Sequence, residues 1–329
     1  MRAAVYTRYG TADEVRVVDV DAPTPRDDEV LVAVHACSVN ASDTEALHGR
    51  PLYSRLGGLR RPRRHVLGSD VAGRVVAVGR DVTTFRPGDD VYADVLDRLG
   101  GFAEAVCVRS DALAPMPAGM THVEASAIPQ AAAIALQGIR AKGGVRDGSR
   151  VLVNGAGGGA GTYAVQLALL DGAEVTAVDT AEKLEYLRSL GAHHVRDHRT
   201  QDFTRDGRTY DVVLDLAGYR SVRAYARALA PGGRYLFVGG SVRTLLQVLL
   251  LGPLVGLRSR KRLRVLAVRL GVRHVAPLVE LIQAGRVRTV VDRCFALDDV
   301  AEALRYHGDG RTRGKVVVVV REDDAPGGS

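Results

Sequence analysis

The sequence predicts an α/β chain of two domains, one mostly β and one built on a parallel sheet, and three observations carry that expectation. The first 120 residues alternate short apolar runs with Pro- and Gly-rich connections. From residue 149 apolar strands and helical segments alternate at the spacing of βαβ units. From residue 287 the chain returns to strand, helix and strand, ending on the five valines 316–320.

In chain order, residues 1–6 read at once as a strand, with no apolar core of signal-peptide length, so no export is expected. Strands follow at 15–20, 29–36, 73–78, 90–92 and 102–108. The Ala, Ile, Leu and Gln of 125–138 predict a helix and mark the domain switch. The second domain reads as strands at 150–154, 174–179, 194–197, 211–216 and 234–239, with helices at 162–170, 181–190 and 221–229 between them. A helix at 275–284 closes on Gly285, and strand 287–295, helix 300–307 and strand 315–320 complete the chain. The valine run suits a strand buried on both faces. Residues 321–329 read as a frayed tail.

The chain has 329 residues, 46% of them hydrophobic, enough for two domains and too apolar for a disordered chain. Cys37, Cys107 and Cys294 lie far apart with no CxxC pair, which argues against a zinc knuckle or a redox dithiol and for a reducing, cytoplasmic setting. The net charge of +7 does not point to nucleic acid, because 41 of the 45 basic residues are arginines spread along the whole chain. The clusters 60–64 and 258–262 read as solvated surface. The apolar stretch 245–257 is thirteen residues interrupted by Gln247, Gly252 and Pro253, too short to span a bilayer; a buried helix, pocket wall or subunit contact is expected. Its basic flank keeps a membrane-surface alternative open.

Gly155-Ala156-Gly157-Gly158-Gly159-Ala160-Gly161 lies between a predicted strand and a predicted helix, the context that a dinucleotide-binding turn requires. Ala156, Gly158 and Gly161 fit the GxGxxG spacing with Ala first. Gly158 would let the backbone approach a pyrophosphate, and Gly161 would let helix and strand pack closely. The helix N-terminus would then offer N–H groups to the phosphates. Asp179 ends the second strand, where a carboxylate would accept from both ribose hydroxyls and favour NADH; Thr180 and Lys183 keep NADPH open, since the lysine could pair with a 2′-phosphate.

The runs 39–43, 57–62, 67–73, 85–89, Gly101-Phe-Ala-Glu104, Ile128-Pro129, 135–137, the glycine run and Gly314-Lys315-Val316, in this order and spacing, resemble the medium-chain dehydrogenase/reductase superfamily, in its zinc-free quinone oxidoreductase-like branch. The resemblance covers essentially the whole chain. It implies a GroES-like β domain from residues 1–123 and 288–329 around a Rossmann domain at 124–287, with the active site in the cleft between them and a homodimer as the usual assembly. It also implies that His198 packs near the adenosine, that Ala217-Gly218 and Gly239-Gly240-Ser241 end strands beside the nicotinamide ribose, and that Arg313 and Lys315 lie at the cleft edge, Lys315 among the cofactor contacts.

Zinc relatives carry a cysteine where this chain has Asn40, a His-Glu pair where it has Ser69-Asp70, and a four-cysteine lobe near 94–110, where only Cys107 stands. Without thiolate or imidazole ligands no zinc site is expected. Hydride transfer to an unactivated ketone depends on a Lewis acid, whereas a quinone or enone needs only a hydrogen-bond donor at its oxygen. Asn40 and Ser69 are pocket candidates and Tyr53 a possible proton donor; quinone-reductase relatives carry a tyrosine at Glu45 and often a threonine at Ile134. The reading is a zinc-independent NAD(P)H-dependent reductase of quinones or α,β-unsaturated carbonyls. Alternatives are a pathway-specific enoyl or polyketide-tailoring reductase and a non-catalytic, cofactor-regulated binding protein. Neither nucleic acid nor stable membrane insertion is expected.

Overall fold

The structure, a computed structural model, describes residues 1–56, 58–140 and 144–321. Gly57 of the 57–62 run, Lys142 and the tail from residue 322 lie outside the described residues. The chain forms two units: Met1–Gln130 with Leu270–Gln283 and Thr289–Ser329, and Ala131–Arg269 with Ala284–Arg288.

The first unit opens with β1 (Arg2–Val5), β2 (Arg16–Asp19), β3 (Glu29–Val39), helix α1 (Ala41–His48), β4 (Asp70–Val78), β5 (Asp90–Asp94), β6 (Ala105–Arg109), β7 (Leu113–Pro115) and α2 (His122–Ser126). Where 125–138 reads as one helix there are two, α2 and α3 (Pro129–Arg140). Pro129 has no N–H to carry a helix through and begins a new one instead.

The second unit holds β8 (Arg150–Asn154), α4 (Gly159–Leu170), β9 (Glu174–Asp179), α5 (Leu184–Ser189), β10 (His194–Asp197), β11 (Tyr210–Asp215), α6 (Val222–Ala228), β12 (Leu229–Phe237), α7 (Val242–Ser259) and β13 (Arg262–Val265). After it come α8 (Ala276–Gln283), β14 (Val291–Ala296), α9 (Val300–Gly308) and β15 (Lys315–Val319). β14 begins at Val291, four residues later than the expected start.

The sheet of the second unit has the order β10-β9-β8-β11-β12-β13 and is parallel throughout. This is the doubly wound order, which places the turns after β8, β9 and β11 at one edge of the sheet, where nucleotides bind. Val151, Leu152 and Val153 are fully buried, as strands covered on both faces must be. In the first unit the order is β14-β15-β3-β4-β5-β7, with β6 also on β3. β15 pairs antiparallel with β3, so the two ends of the chain share one sheet. Val316, Val317 and Val318 are fully buried there.

In α7 the inner face is buried at Thr244 and Val248, but Leu250 is 70% exposed and Leu257 83%. The stretch 245–257, expected as a buried helix, pocket wall or subunit contact, has an apolar side open to solvent among the described residues. Among the described residues no helix is long and apolar enough to cross a membrane.

Candidate functional site

The turn after β8 is built from backbone. Gly155 sits at φ 81°, which glycine adopts without strain. Its N–H and that of Ala156 donate to the Val178 carbonyl of β9, at 2.9 and 3.1 Å. A Cβ on Gly161 would be driven into the carbonyl oxygens of Gly155 and Ala156, so the close approach of α4 to the turn requires glycine. At Gly158, the N-cap of α4, a Cβ would meet nothing nearer than the Gly155 oxygen at 3.7 Å. The chain's own packing therefore does not demand glycine at Gly158. The first-turn N–H groups of Gly159, Ala160 and Gly161 lack intrahelical acceptors by helix geometry and carry the positive end of the helix dipole. A turn of this kind fits a dinucleotide pyrophosphate.

Asp179 meets this turn. Its Oδ2 accepts from the Gly157 N–H at 2.8 Å, its Oδ1 accepts from the Thr180 N–H at 2.9 Å, and the Lys183 ammonium lies 3.1 Å from Oδ1. Both side chains are buried. Lys183 thus pairs with Asp179 rather than standing free for a phosphate, and a Cβ on Gly157 would strike the lysine stem at 2.6 Å. The His198 N–H donates to the Asp179 carbonyl at 3.0 Å, and its ring meets Tyr219 edge-on at 5.9 Å. Ala217, Gly239, Gly240 and Ser241 come together where β11 and β12 end. Here the Gly218 N–H donates to Gly239 O at 2.8 Å and the Ser241 N–H to Gly218 O at 2.7 Å.

Behind that junction lies a carboxylate that sequence reasoning missed. Asp215 is fully buried, accepting from Asn154 Nδ2 at 2.7 Å and Tyr235 Oη at 2.6 Å. Asn154 also donates to Ala217 O, so the pair fixes the loop after β11. The signal was faint, an aspartate inside the apolar run 211–216.

In the first unit, Asn40, Ser69 and Lys315 form one buried cluster with Asp70. Asn40 caps α1; its Nδ2 donates to Asp70 Oδ2 at 2.9 Å and Ser69 Oγ at 3.2 Å, and its Oδ1 accepts from Lys315 Nζ at 2.6 Å. The lysine stands 3.8 Å from Asp70 Oδ2. Gln130 clamps Asp70 through its backbone N–H and its Nε2, both at 3.2 Å. Below them Asp43 accepts from Asn40 N, Ser69 Oγ and Gly68 N. Lys315, expected at the cleft edge among the cofactor contacts, is only 3% exposed and is hydrogen-bonded to Asn40.

Burial sets the titration of these groups. It pushes the Asp70 carboxyl up and the Lys315 ammonium down, while their mutual attraction opposes both shifts. Burial raises Asp43 to about 7. Asp94, beside Asp70 in the β4–β5 register, is likewise raised by burial to about 7, and its Oδ2 is buried with no hydrogen-bond partner among the described residues.

Tyr53 lies apart from this cluster, half exposed in a hollow of about 520 Å³ that it shares with Glu45, Ser42, Tyr6, Tyr9 and Arg64. Its hydroxyl donates to Glu45 Oε2 at 3.5 Å, a long contact, and burial raises both groups. Ser42 links hollow and cluster, with its Oγ 3.3 Å from Ser69 Oγ and donating to Gln130 Oε1 at 3.0 Å. The three cysteines do not gather: Cys37 is buried, Cys107 half-buried and Cys294 exposed. Among the described residues, no three His, Cys, Asp or Glu side chains form a metal-holding group.

Comparison with known proteins agrees with the fold. Residues 26–118 match the alcohol dehydrogenase GroES-like domain family, and residues 190–318 match the zinc-binding dehydrogenase family. The chain is 33% identical over 334 residues to the chloroplastic quinone-oxidoreductase QR1 of Triphysaria versicolor, covering 97% of this chain and 98% of that one. It is 31% identical to the mitochondrial NAD(P)H oxidoreductase RTN4IP1 of Mus musculus, covering 89% and 82%. Among solved structures, the quinone oxidoreductase from Coxiella burnetii superposes with a TM-score of 0.88 at 26% identity, covering 98% of this chain and 99% of that one.

Proposed function

The chain belongs to the medium-chain dehydrogenase/reductase superfamily, in its quinone oxidoreductase-like branch, and from that premise we propose that it is an NAD(P)H-dependent reductase of quinones or α,β-unsaturated carbonyls that works without zinc. The observation that carries the zinc-free reading is the Asn40–Ser69–Asp70–Lys315 cluster. Its donors and acceptors satisfy one another, and its cation is an ammonium covalently part of the chain. Neutral amide and hydroxyl groups are poor zinc ligands, so the residue chemistry supports substrates that need no Lewis acid.

A bound nicotinamide would supply hydride. The chain's part is to hold the dinucleotide through the Gly157–Gly161 turn and the first-turn amides of α4, and to handle a proton. Reduction of a conjugated acceptor leaves an oxygen that must be hydrogen-bonded or protonated. Tyr53, which keeps its proton well above neutral pH, is the donor supported by its place in the hollow with Ser42 and Glu45. The Asp179 carboxylate supports NADH, but the Lys183 ammonium beside it offsets its charge towards a ribose 2′-phosphate. The expected preference between NADH and NADPH is therefore small, within about 10-fold, on the order of one screened charge contact.

The test is titration of the purified protein with NADH and NADPH, followed by assay on 1,2-naphthoquinone and a simple enone. Cofactor binding and turnover that survive a chelator are expected, with Tyr53→Phe lowering kcat about 100-fold, the lower end for a general acid. Binding of neither cofactor, or a metal requirement for turnover, overturns the proposal. Binding without turnover of any acceptor transfers the chain to the non-catalytic reading.

A further inference from the structure

The hollow that holds Tyr53 has a basic side for which a neutral acceptor has no use. Its volume of about 520 Å³ lies within the range of small-ligand sites, about 300–1,000 Å³. Tyr6, Leu96 and Leu99 give it an apolar side, with Tyr6 and Leu99 buried. Arg63 and Arg64, part of the cluster 60–64 expected as solvated surface, line it as well.

The arginines of this segment have different places. Residues 46–69 hold six of them and no Asp or Glu. Arg55 is engaged by the fold: its Nε donates to Gly49 O at 2.9 Å, and its guanidinium stacks over the Tyr9 ring at 4.7 Å. Tyr9 in turn donates to Gly58 O at 2.5 Å, which ties the segment down beside the hollow. Arg50, Arg60 and Arg61 are not among the residues that line it. Arg63 and Arg64 do line it, and neither has an ion pair among the described residues.

Glu45 is the one carboxylate among the described lining residues. Burial raises it, Tyr53 donates to it, and no ion pair joins it to either arginine. Burial also pushes the Tyr6 phenol up to about 12 against the pull of the Arg64 guanidinium, so the Arg64 charge reaches the apolar side of the hollow. Two guanidinium groups without a counter-charge beside an apolar wall are complementary to an apolar ligand that carries an anionic group.

We propose that the preferred acceptor is a conjugated carbonyl compound bearing a carboxylate or phosphate, its body against Tyr6, Leu96 and Leu99 and its anion on Arg63 and Arg64. The proposal rests on the reductase reading for the conjugated carbonyl. It does not rest on it for the anion, which binds whether or not hydride is transferred.

The experiment compares para-carboxybenzylideneacetone with its methyl ester, two enones of the same body that differ by one charge, and adds the para-phosphate of the same enone. Two quantities are measured: kcat/KM with the reduced cofactor, and the Kd of the saturated counterparts, which have no double bond to reduce, by isothermal titration. The acid is expected to exceed the ester about 10-fold in both, at the usual worth of charge-assisted contacts in a half-open site. Both ratios should shrink when NaCl rises from about 0.1 M to about 0.5 M. Arg63→Gln with Arg64→Gln should bring them to about 1 while the circular dichroism spectrum stays native, whereas Arg61→Gln, which removes a charge from the same segment outside the hollow, should change them by less than about 2-fold. The order of phosphate and carboxylate in both assays tells which anion the site takes. Equal handling of acid and ester by the parent, or an equal loss with Arg61→Gln, overturns the proposal, and the reductase reading stands if the ester is still reduced. Tighter binding of the saturated acid with no reduction of any acceptor supports the anion site and overturns the reductase reading instead.

Discussion

The two units place chemistry in opposite ways. In the second, the cradle after β8 is made of backbone: two N–H groups on the Val178 carbonyl, a glycine that lets α4 approach, and one ion pair, Asp179 with Lys183, that braces the turn. In the first, the cluster around Asn40 is made of side chains from α1, β4, α3 and β15, with Asp43, Asp70 and Asp94 all buried and a single ammonium among them. A backbone site is cheap to keep and hard to retune. A side-chain site can be retuned residue by residue, but each buried charge in it depends on its partner.

The largest expected effect tests that dependence. Lys315→Met leaves Asp70 buried without its cation and should destabilise the protein by about 3–5 kcal/mol in urea unfolding. Adding Asp70→Asn should recover part of the loss. If the double variant is no more stable than the single, the pair is not the unit described here. On the backbone side, Gly161→Ala should cost about 2–3 kcal/mol through overpacking against the Gly155 and Ala156 carbonyls, and weaken NADH binding with it. A variant as stable as the parent would show that the turn yields more readily than its geometry implies.

A third test is the dependence on pH. Asp43 and Asp94 are held at about 7 in the folded chain against about 4 when unfolded, so between those values the folded state keeps protons that the unfolded chain has lost. Their contribution is fully present below about pH 4 and is lost as pH rises through 7. The Tm should therefore fall from pH 5 to pH 8, and Asp94→Asn should flatten the slope. A Tm that climbs over that range in both proteins would contradict the burial of these groups.

The same contrast decides what could be read from the sequence. The cradle was legible because its signal is local: seven small residues between an apolar strand and an apolar helix fix the turn, and the parallel sheet followed from βα alternation, though its strand order did not. The partners of Asn40 were not, because Lys315 lies 275 residues away and Gln130 gives no sign of its clamp on Asp70. Asn40 and Ser69 drew notice through resemblance, whereas Asp215 is an aspartate in a strand recognised by its apolar residues. For α7 the sequence showed apolarity but not direction, since an apolar stretch that fills both helix faces hides which one faces the core.

The pairing of β15 with β3 has a further consequence during synthesis. At typical elongation rates roughly 15–55 s separate the making of Asn40 from that of Lys315. By the end of that interval the whole parallel sheet of the second unit has been made and can fold on local contacts, while β3, held by β6 at 29–33, waits with 36–39 unpaired on the side that β15 will cover and its polar cluster lacks a counter-ion. A chain cut short before residue 315 therefore carries a finished glycine-rich turn in its second unit and, in its first, a sheet that lacks β15, and chaperones and proteases meet that incomplete sheet first.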